Sequence, residues 1–362
     1  MTRAGVAAAR DAPAAAGTQL LREIREQPAV LRALLDRAPE YEAVAREARR
    51  RGLSIVRLVG HGSSDNAASF AVYAFGLLPR WTALRDSISL SVYYGADFEL
   101  SSSCVVALSQ SGRTPDVVEY VEQARARGAF TVGVTNDPHS PLADASEAVL
   151  PLAAGPEDAI AATKTYTAQV AGLALLAACA ADSGGPMADA ICQVADQLEE
   201  ALPALERRID ELAGPLAFAT RMFVVGRGPE FATAREISLK LLETCRVAAE
   251  PLTATDLAHG PVAALDGNFP VWAIASRDAS LPAVREAVAR ARAAGATVIV
   301  SGTATDEVPE AGARVPVPAP ALSLLAPLLS VAPGQLFARA LALAKGLDPD
   351  SPVGITKVTL VP

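Results

Sequence analysis

The chain repeats itself at an offset of 166 residues (Gly60 to Gly226). The Gly60-His61-Gly62 turn answers to Gly226-Arg227-Gly228. The apolar run 105–108 answers to 271–274, and 131–134 answers to 297–300. Gly128 and Gly295 close matching Ala/Arg-rich helical stretches. One such match means little, but three anchors at one spacing predict two copies of one α/β domain. Within each copy, strand-like runs alternate with helix-like runs. That order predicts a parallel sheet with helices on both faces, the doubly wound layout.

In chain order, a helix is expected over 20–37, interrupted at Gln27-Pro28 where the proline opens a new helix, and another over 41–51. Copy one then reads as strands at 55–59, 88–93, 105–108, 131–135 and 148–152. Long helices are expected from Gly155 to about Leu212, and copy two supplies strands at 222–225, 271–274 and 297–300. The expected divisions are a helical segment 1–45, frayed up to about Gly17, a first domain 46–205, a second domain 206–345 and a tail 346–362.

The formal charge of −8 and the lack of any Lys/Arg cluster argue against nucleic acid as a partner. A bound anion must then be held by local donors. Cys104, Cys179, Cys192 and Cys245 are scattered, without a CxxC pair or a nearby His. They read as reduced core residues of a cytoplasmic protein. The N-terminus lacks the layout of a signal peptide. The apolar stretch 170–181 is too short to span a bilayer and reads as a buried helix, so no membrane association is expected.

Chemistry concentrates in a few stretches. Ser109-Gln110-Ser111-Gly112-Arg113-Thr114 lies between a buried strand and a helix start. It offers hydroxyls, free backbone N–H groups and the positive end of a helix to one small volume, which suits a phosphate; the alternative is an ordinary capped loop. The second copy carries Ala275-Ser276-Arg277 at that place, so the hydroxyl cluster belongs to copy one alone. Glu236, Lys240 and Glu243 follow the second Gly-x-Gly turn and share one helix face; a solvated charge stripe is the alternative reading. His259 stands in a polar loop before Gly260-Pro261, and Lys357 lies near the C-terminus.

Together these stretches resemble the sugar-isomerase (SIS) domain family. The match is to the tandem-domain isomerase half of glucosamine-6-phosphate synthase and its stand-alone relatives. The resemblance runs from Arg22-Glu23-Ile24 to Lys357 and rests on the SQSG turn, Ala162-Thr163-Lys164, the LKxxE helix and His259-Gly260-Pro261. It implies two flavodoxin-like three-layer domains and a sugar phosphate as ligand; the sequence shows no metal or cofactor site, and neither is expected. By position it implies that Ser64, Ser109, Gln110, Ser111 and Thr114 hold the phosphate, and that Gly62, Ser63, Ile160, Ala162 and Thr163 line the sugar pocket. Lys357 would form a Schiff base, Glu243 would move a proton between C1 and C2 with Lys240 beside it, and His259 would open the ring. In the family that histidine comes from the neighbouring subunit, which implies a homodimer.

The chemistry suits those residue types. A carboxylate can take and return one proton, an amine acidifies the neighbouring C–H as an iminium, and histidine titrates near neutrality. The expectation is of a chain without the synthase's glutaminase domain, because the first strand begins near Ile55 and Thr2 follows Met1. Ala162 replaces the synthase's serine, and Arg113-Thr114-Pro115-Asp116 replaces its acidic turn. The latter form resembles aminosugar-phosphate deaminases. The expected activity is therefore conversion of glucosamine 6-phosphate, or a close relative, to fructose 6-phosphate and ammonia. The alternatives are a deglycase of fructosamine 6-phosphate adducts, an ammonia-dependent synthase, and a non-catalytic sugar-phosphate sensor.

Overall fold

The structure, a computed structural model, describes residues 15–357. The frayed start expected up to Gly17 lies mostly outside the described residues, as do tail residues 358–362. Two helices, α1 (Thr18–Leu35) and α2 (Ala38–Arg50), lead into β1 (Ile55–Val59), α3 (Ser63–Leu77), β2 (Thr82–Arg85), α4 (Ile88–Val92), β3 (Ser103–Leu108), α5 (Pro115–Ala126), β4 (Phe130–Thr135), α6 (Pro141–Ala145) and β5 (Ala148–Pro151). Helices α7 (Lys164–Ala180) and α8 (Gly184–Ala213) follow. Then come β6 (Arg221–Gly226), α9 (Glu230–Cys245), β7 (Ala248–Thr253), α10 (Ala254–Ala258), β8 (Pro270–Ile274), α11 (Leu281–Ala293), β9 (Thr297–Gly302), β10 (Ala313–Pro316) and α12 (Ala326–Ala344).

Each copy is a five-stranded sheet, and every pairing within the sheets is parallel. The orders are β2-β1-β3-β4-β5 and β10-β9-β8-β6-β7, one sequence of strands read from opposite edges. The 166-residue offset holds at the edges too: Ile55 pairs with Thr82 in one sheet, and Arg221 with Ala248 in the other. Strands β3 and β4 are buried along their whole length, as a sheet covered on both faces requires.

Alternate strand residues divide the core into three. Val56, Leu58, Val106 and Val132 face a central helical layer that also receives Met222, Val224, Trp272 and Ile299 from the second sheet. The opposite faces pack outward. Val105 and Ala107 meet α5, while Val271, Val298 and Val300 meet α11. The two domains thus share one inner layer, built around α7, which is buried throughout. Helix α8 runs through position 205, where the boundary between domains was expected. At Gly334 on α12 a Cβ would collide with Ile237, so the missing side chain lets α9 lie close against its neighbour.

Several local expectations need correction. Pro28 does not break α1, which is continuous from Thr18 to Leu35. The carbonyl that Pro28 leaves without an N–H belongs to Ile24, and Gln27 Nε2 donates to it at 3.0 Å. The alternating run 88–93 is not a strand. Ile88 and Ser91 are its buried residues, three apart as in one helical turn, and Leu90 points to solvent. The edge strand is β2, whose mostly exposed Thr-Ala-Leu-Arg carries no apolar alternation to betray it. Cys192 is exposed rather than in the core, while the other three thiols are buried and free. The segment Ser323–Ala344 is longer than 170–181. By length and composition it is enough to cross a membrane, yet 89% of its most apolar window is buried inside the fold.

Candidate active site

Strand ends set the site. In a parallel sheet the turns after neighbouring strands open on the same edge. The β1–α3 and β3–α5 turns of copy one therefore lie side by side at a cavity of about 460 Å³. The first turn brings Gly62, Ser63 and Ser64, the second Ser109, Gln110, Ser111 and Thr114, and all seven line that cavity. Both helices start with N-caps, Gly62 and Thr114, that make no side-chain capping bond. Their first N–H groups and positive dipole ends are directed at the same space.

The second turn is internally braced. Gly112 N donates to Ser109 Oγ at 3.1 Å, Ser109 Oγ and Thr114 Oγ1 are 3.0 Å apart, and Arg113 N donates to Ser111 Oγ at 3.3 Å. Gly112 has φ +64, and a Cβ there would strike Ser140, so this glycine is required by conformation and by space. Behind the first turn, Gln169 Nε2 donates to Ser64 Oγ at 2.9 Å.

Helix α9 supplies the charged wall. Lys240 is buried, with Nζ 2.7 Å from Glu243 Oε2, 3.3 Å from Glu236 Oε1 and 3.2 Å from Ser63 Oγ. Burial alone depresses a lysine, but the two carboxylates outweigh it and hold the ammonium well above its ordinary range. Glu236 is wholly buried, accepting from Ser63 Oγ at 2.9 Å and Asn66 Nδ2 at 2.8 Å. Burial raises its carboxyl, against the pull of Lys240. The trio is therefore not a solvated stripe. Of its two carboxylates, Glu243 is the one that lines the cavity.

The tail closes the opposite side. Lys357 Nζ lies 2.8 Å from Glu157 Oε2 and donates to Ala159 O at 2.6 Å. Glu157 also accepts from Thr163 N, Thr165 N and Thr165 Oγ1, at 2.9, 3.1 and 2.7 Å. Burial would raise this carboxyl, but the Lys357 charge and these donors overcome it and hold it below its ordinary range. Sequence reasoning missed Glu157; its only signal is an acidic residue in the loop that precedes Ala162-Thr163-Lys164.

Ile160 and Ala162 line the cavity as expected. Thr163 does not: it is fully buried behind the wall as the N-cap of α7. His259 also stands apart, exposed at the end of α10 beside Glu286 and Arg290. A different histidine, unassigned from sequence, faces the cavity. His61 Nε2 is 2.7 Å from Asp116 Oδ2 on α5, and both residues line the space.

Copy two differs at the corresponding turn. Glu230 occupies the place of Ser64 at the same 166-residue offset. Its buried carboxylate accepts from Ser276 Oγ, from Ser330 Oγ at 2.8 Å and from Thr233 Oγ1 at 2.7 Å. A buried carboxyl is seated among hydroxyls here, at the place where copy one has Ser64 at the edge of the cavity. No group of three or more His, Cys, Asp or Glu able to hold a metal occurs among the described residues.

Comparison with known proteins places this geometry among relatives. The sequence profile of the SIS domain matches residues 95–179 and 216–345. Glutamine–fructose-6-phosphate aminotransferase (isomerizing) of Corynebacterium glutamicum is 33% identical over 366 residues, 95% of this chain and 58% of that protein. The chain thus spans somewhat over half the length of that relative. Among solved structures, a proposed phosphosugar isomerase from Silicibacter pomeroyi superposes with a TM-score of 0.82 at 33% identity, covering 92% of this chain and 100% of the other. The C-terminal domain of the aminotransferase from Francisella tularensis shares the fold with a TM-score of 0.85 at 23% identity, over 94% and 100% of the two chains.

Proposed function

The chain belongs to the SIS domain family, and on that premise we propose that it is an aminosugar-phosphate isomerase working as a deaminase. Its substrate is glucosamine 6-phosphate or a close relative, and its products are fructose 6-phosphate and ammonia. The observation that carries this reading is the meeting, in one cavity, of a hydroxyl cluster at two helix N-termini, the Glu243 carboxylate and the Lys357 amine. The hydroxyls and helix ends suit the phosphate. With the sugar open, Glu243 takes the proton from C2 and returns it at C1 while a proton passes from the amine to O1, turning the 2-amino aldehyde into a 1-hydroxy 2-imine. Water then adds at C2 and ammonia leaves, so one water is consumed for each ammonia released. Lys357 can take the place of ammonia at C2 and pass through its own imine before water releases the ketose. Lys240 is held charged between Glu236 and Glu243 and keeps Glu243 in position. His259 serves ring opening from a second copy, which makes the active form a homodimer.

The deciding experiment is a coupled assay for ammonia and fructose 6-phosphate on purified protein, with glucosamine 6-phosphate and other hexosamine 6-phosphates. Ammonia from none of them would overturn the reading. Release of an amino acid from fructosamine 6-phosphates would replace it with a deglycase, and tight binding without turnover would replace it with a sensor.

A further inference from the structure

The walls of the cavity carry no spare positive charge. Asp116 and Glu243 stand against Lys240 and Lys357 in the lining, and both ammonium groups are already engaged by carboxylates, Lys240 by Glu243 and Glu236 and Lys357 by the buried Glu157. A phosphate monoester brings roughly two more negative charges at neutral pH. The N-termini of α3 and α5 offset part of that, each as about half a positive charge. One further source is available in the wall itself. His61 belongs to the turn that carries Ser63 and Ser64, Asp116 opens the helix that follows Thr114, and the two side chains meet at 2.7 Å.

The pairing sets the polarity of the ring. With Nε2–H donated to Asp116, neutral His61 offers a lone pair at Nδ1, the wrong partner for a phosphate oxygen. Once protonated, it keeps the bond to Asp116 and gains a donor at Nδ1. Its side chain is 55% exposed, so a proton from water reaches it freely. The other ionisable groups around the cavity are Asp116 from α5, Tyr93 from the end of α4, Lys240 and Glu243 from α9, and Lys357 from the tail. Asp65, on His61's own side of the fold, is taken up by Arg85 and Arg235 at 2.9 and 2.6 Å. Histidine is the one side-chain type among them that ordinarily changes charge between about pH 5 and 8.

We propose that His61, oriented by Asp116, is the proton-linked phosphate ligand of this site and takes up a proton as the phosphate ester binds. The inference rests on the sugar-phosphate reading above. It makes binding fall with rising pH for a reason separate from the catalytic groups, and it gives Asp116 a positioning role at the phosphate end of the cavity.

Titration calorimetry with glucitol 6-phosphate, which has no carbonyl to react, tests this. At pH 7.5, in buffers of different ionisation enthalpy, the wild-type chain takes up most of one proton per ligand. Its affinity falls by up to about tenfold per pH unit above neutrality. His61→Gln binds about tenfold more weakly at pH 7, without proton uptake and with little pH dependence. His61→Lys keeps the affinity but loses the pH dependence, and Asp116→Asn shifts the pH profile to lower pH. A His61→Gln chain with wild-type affinity, proton uptake and pH slope overturns the proposal. Wild-type binding without proton uptake overturns it while sparing the functional reading, whereas no binding of the glucitol phosphate at all sinks both.

Discussion

Lys357 and Glu157 meet at 2.8 Å across 200 residues of sequence, and this pair holds Lys357 in the wall of the cavity. The Glu157 side chain is completely buried and its carboxyl lies below its ordinary range, so the contact contributes to stability as well as position. A depressed folded-state carboxyl stabilises above its unfolded-state value, about 4.3 for glutamate, and that contribution is lost as pH falls through the folded-state value. Glu157→Gln should therefore unfold at lower temperature than wild type at pH 7, with the gap narrowing in acid below pH 4. Thermal melts from pH 3 to 7 check the sign. Faster proteolysis of the tail at pH 7 checks the location.

Glu243 is the cavity-lining carboxylate of α9, and the proposed reaction routes one proton through it. Glu243→Gln keeps the size of the side chain and removes only the base. The expected loss in kcat is roughly 10²–10⁴-fold, the usual contribution of a positioned acid–base group. The affinity for glucitol 6-phosphate should change by no more than about threefold, because phosphate contacts position the ligand independently of proton transfer. Activity within tenfold of wild type would move the proton shuttle to another residue.

The repeat was the most legible part of the sequence, because a buried parallel strand leaves an unbroken apolar run and a Gly-x-Gly turn leaves a spaced pair. The hydroxyl turn 109–114 and the Lys240–Glu243 face could be read for the same reason: neighbours in sequence remain neighbours in space. Glu157 and the His61–Asp116 pair could not. Each contact joins residues at least 55 positions apart, and no local pattern encodes a meeting across the sheet edge. Edge strand β2 was hidden by its exposure, and α4 was misread because a five-residue helix with serines at alternate positions imitates a strand. Thr163 looked like pocket lining because it adjoins Ala162, yet the chain turns into α7 at that point and carries it behind the wall.

Glu230 in copy two offers a test on stability alone. Its carboxylate is wholly buried, burial raises its pKa, and three hydroxyls donate to it with no salt-bridge partner among the described residues. A carboxyl raised on folding costs stability as pH climbs from the unfolded value through the folded one. Glu230→Gln avoids that cost while keeping one oxygen to accept from the hydroxyls. The variant should gain on wild type at pH 8 relative to pH 4, read as a difference in denaturation midpoints at the two values. A variant uniformly less stable by the same amount at both pH values would show that folding does not raise the Glu230 carboxyl.

The separation of His259 from the cavity makes subunit exchange the sharpest test of the proposed dimer. His259 is exposed beside α11, while Lys357 lies in the site of its own chain. Chains bearing His259→Ala or Lys357→Ala should each be inactive in deamination. In a mixed dimer one site has lost both residues and the other has kept both. Unfolding and refolding an equal mixture should then restore about a quarter of wild-type activity, since half of randomly paired dimers are mixed and half of their sites are complete. Sedimentation should show the dimer in every sample. If the mixture stays inactive although mixed dimers form, His259 works within its own chain or not at all, and ring opening falls to a residue already in the cavity.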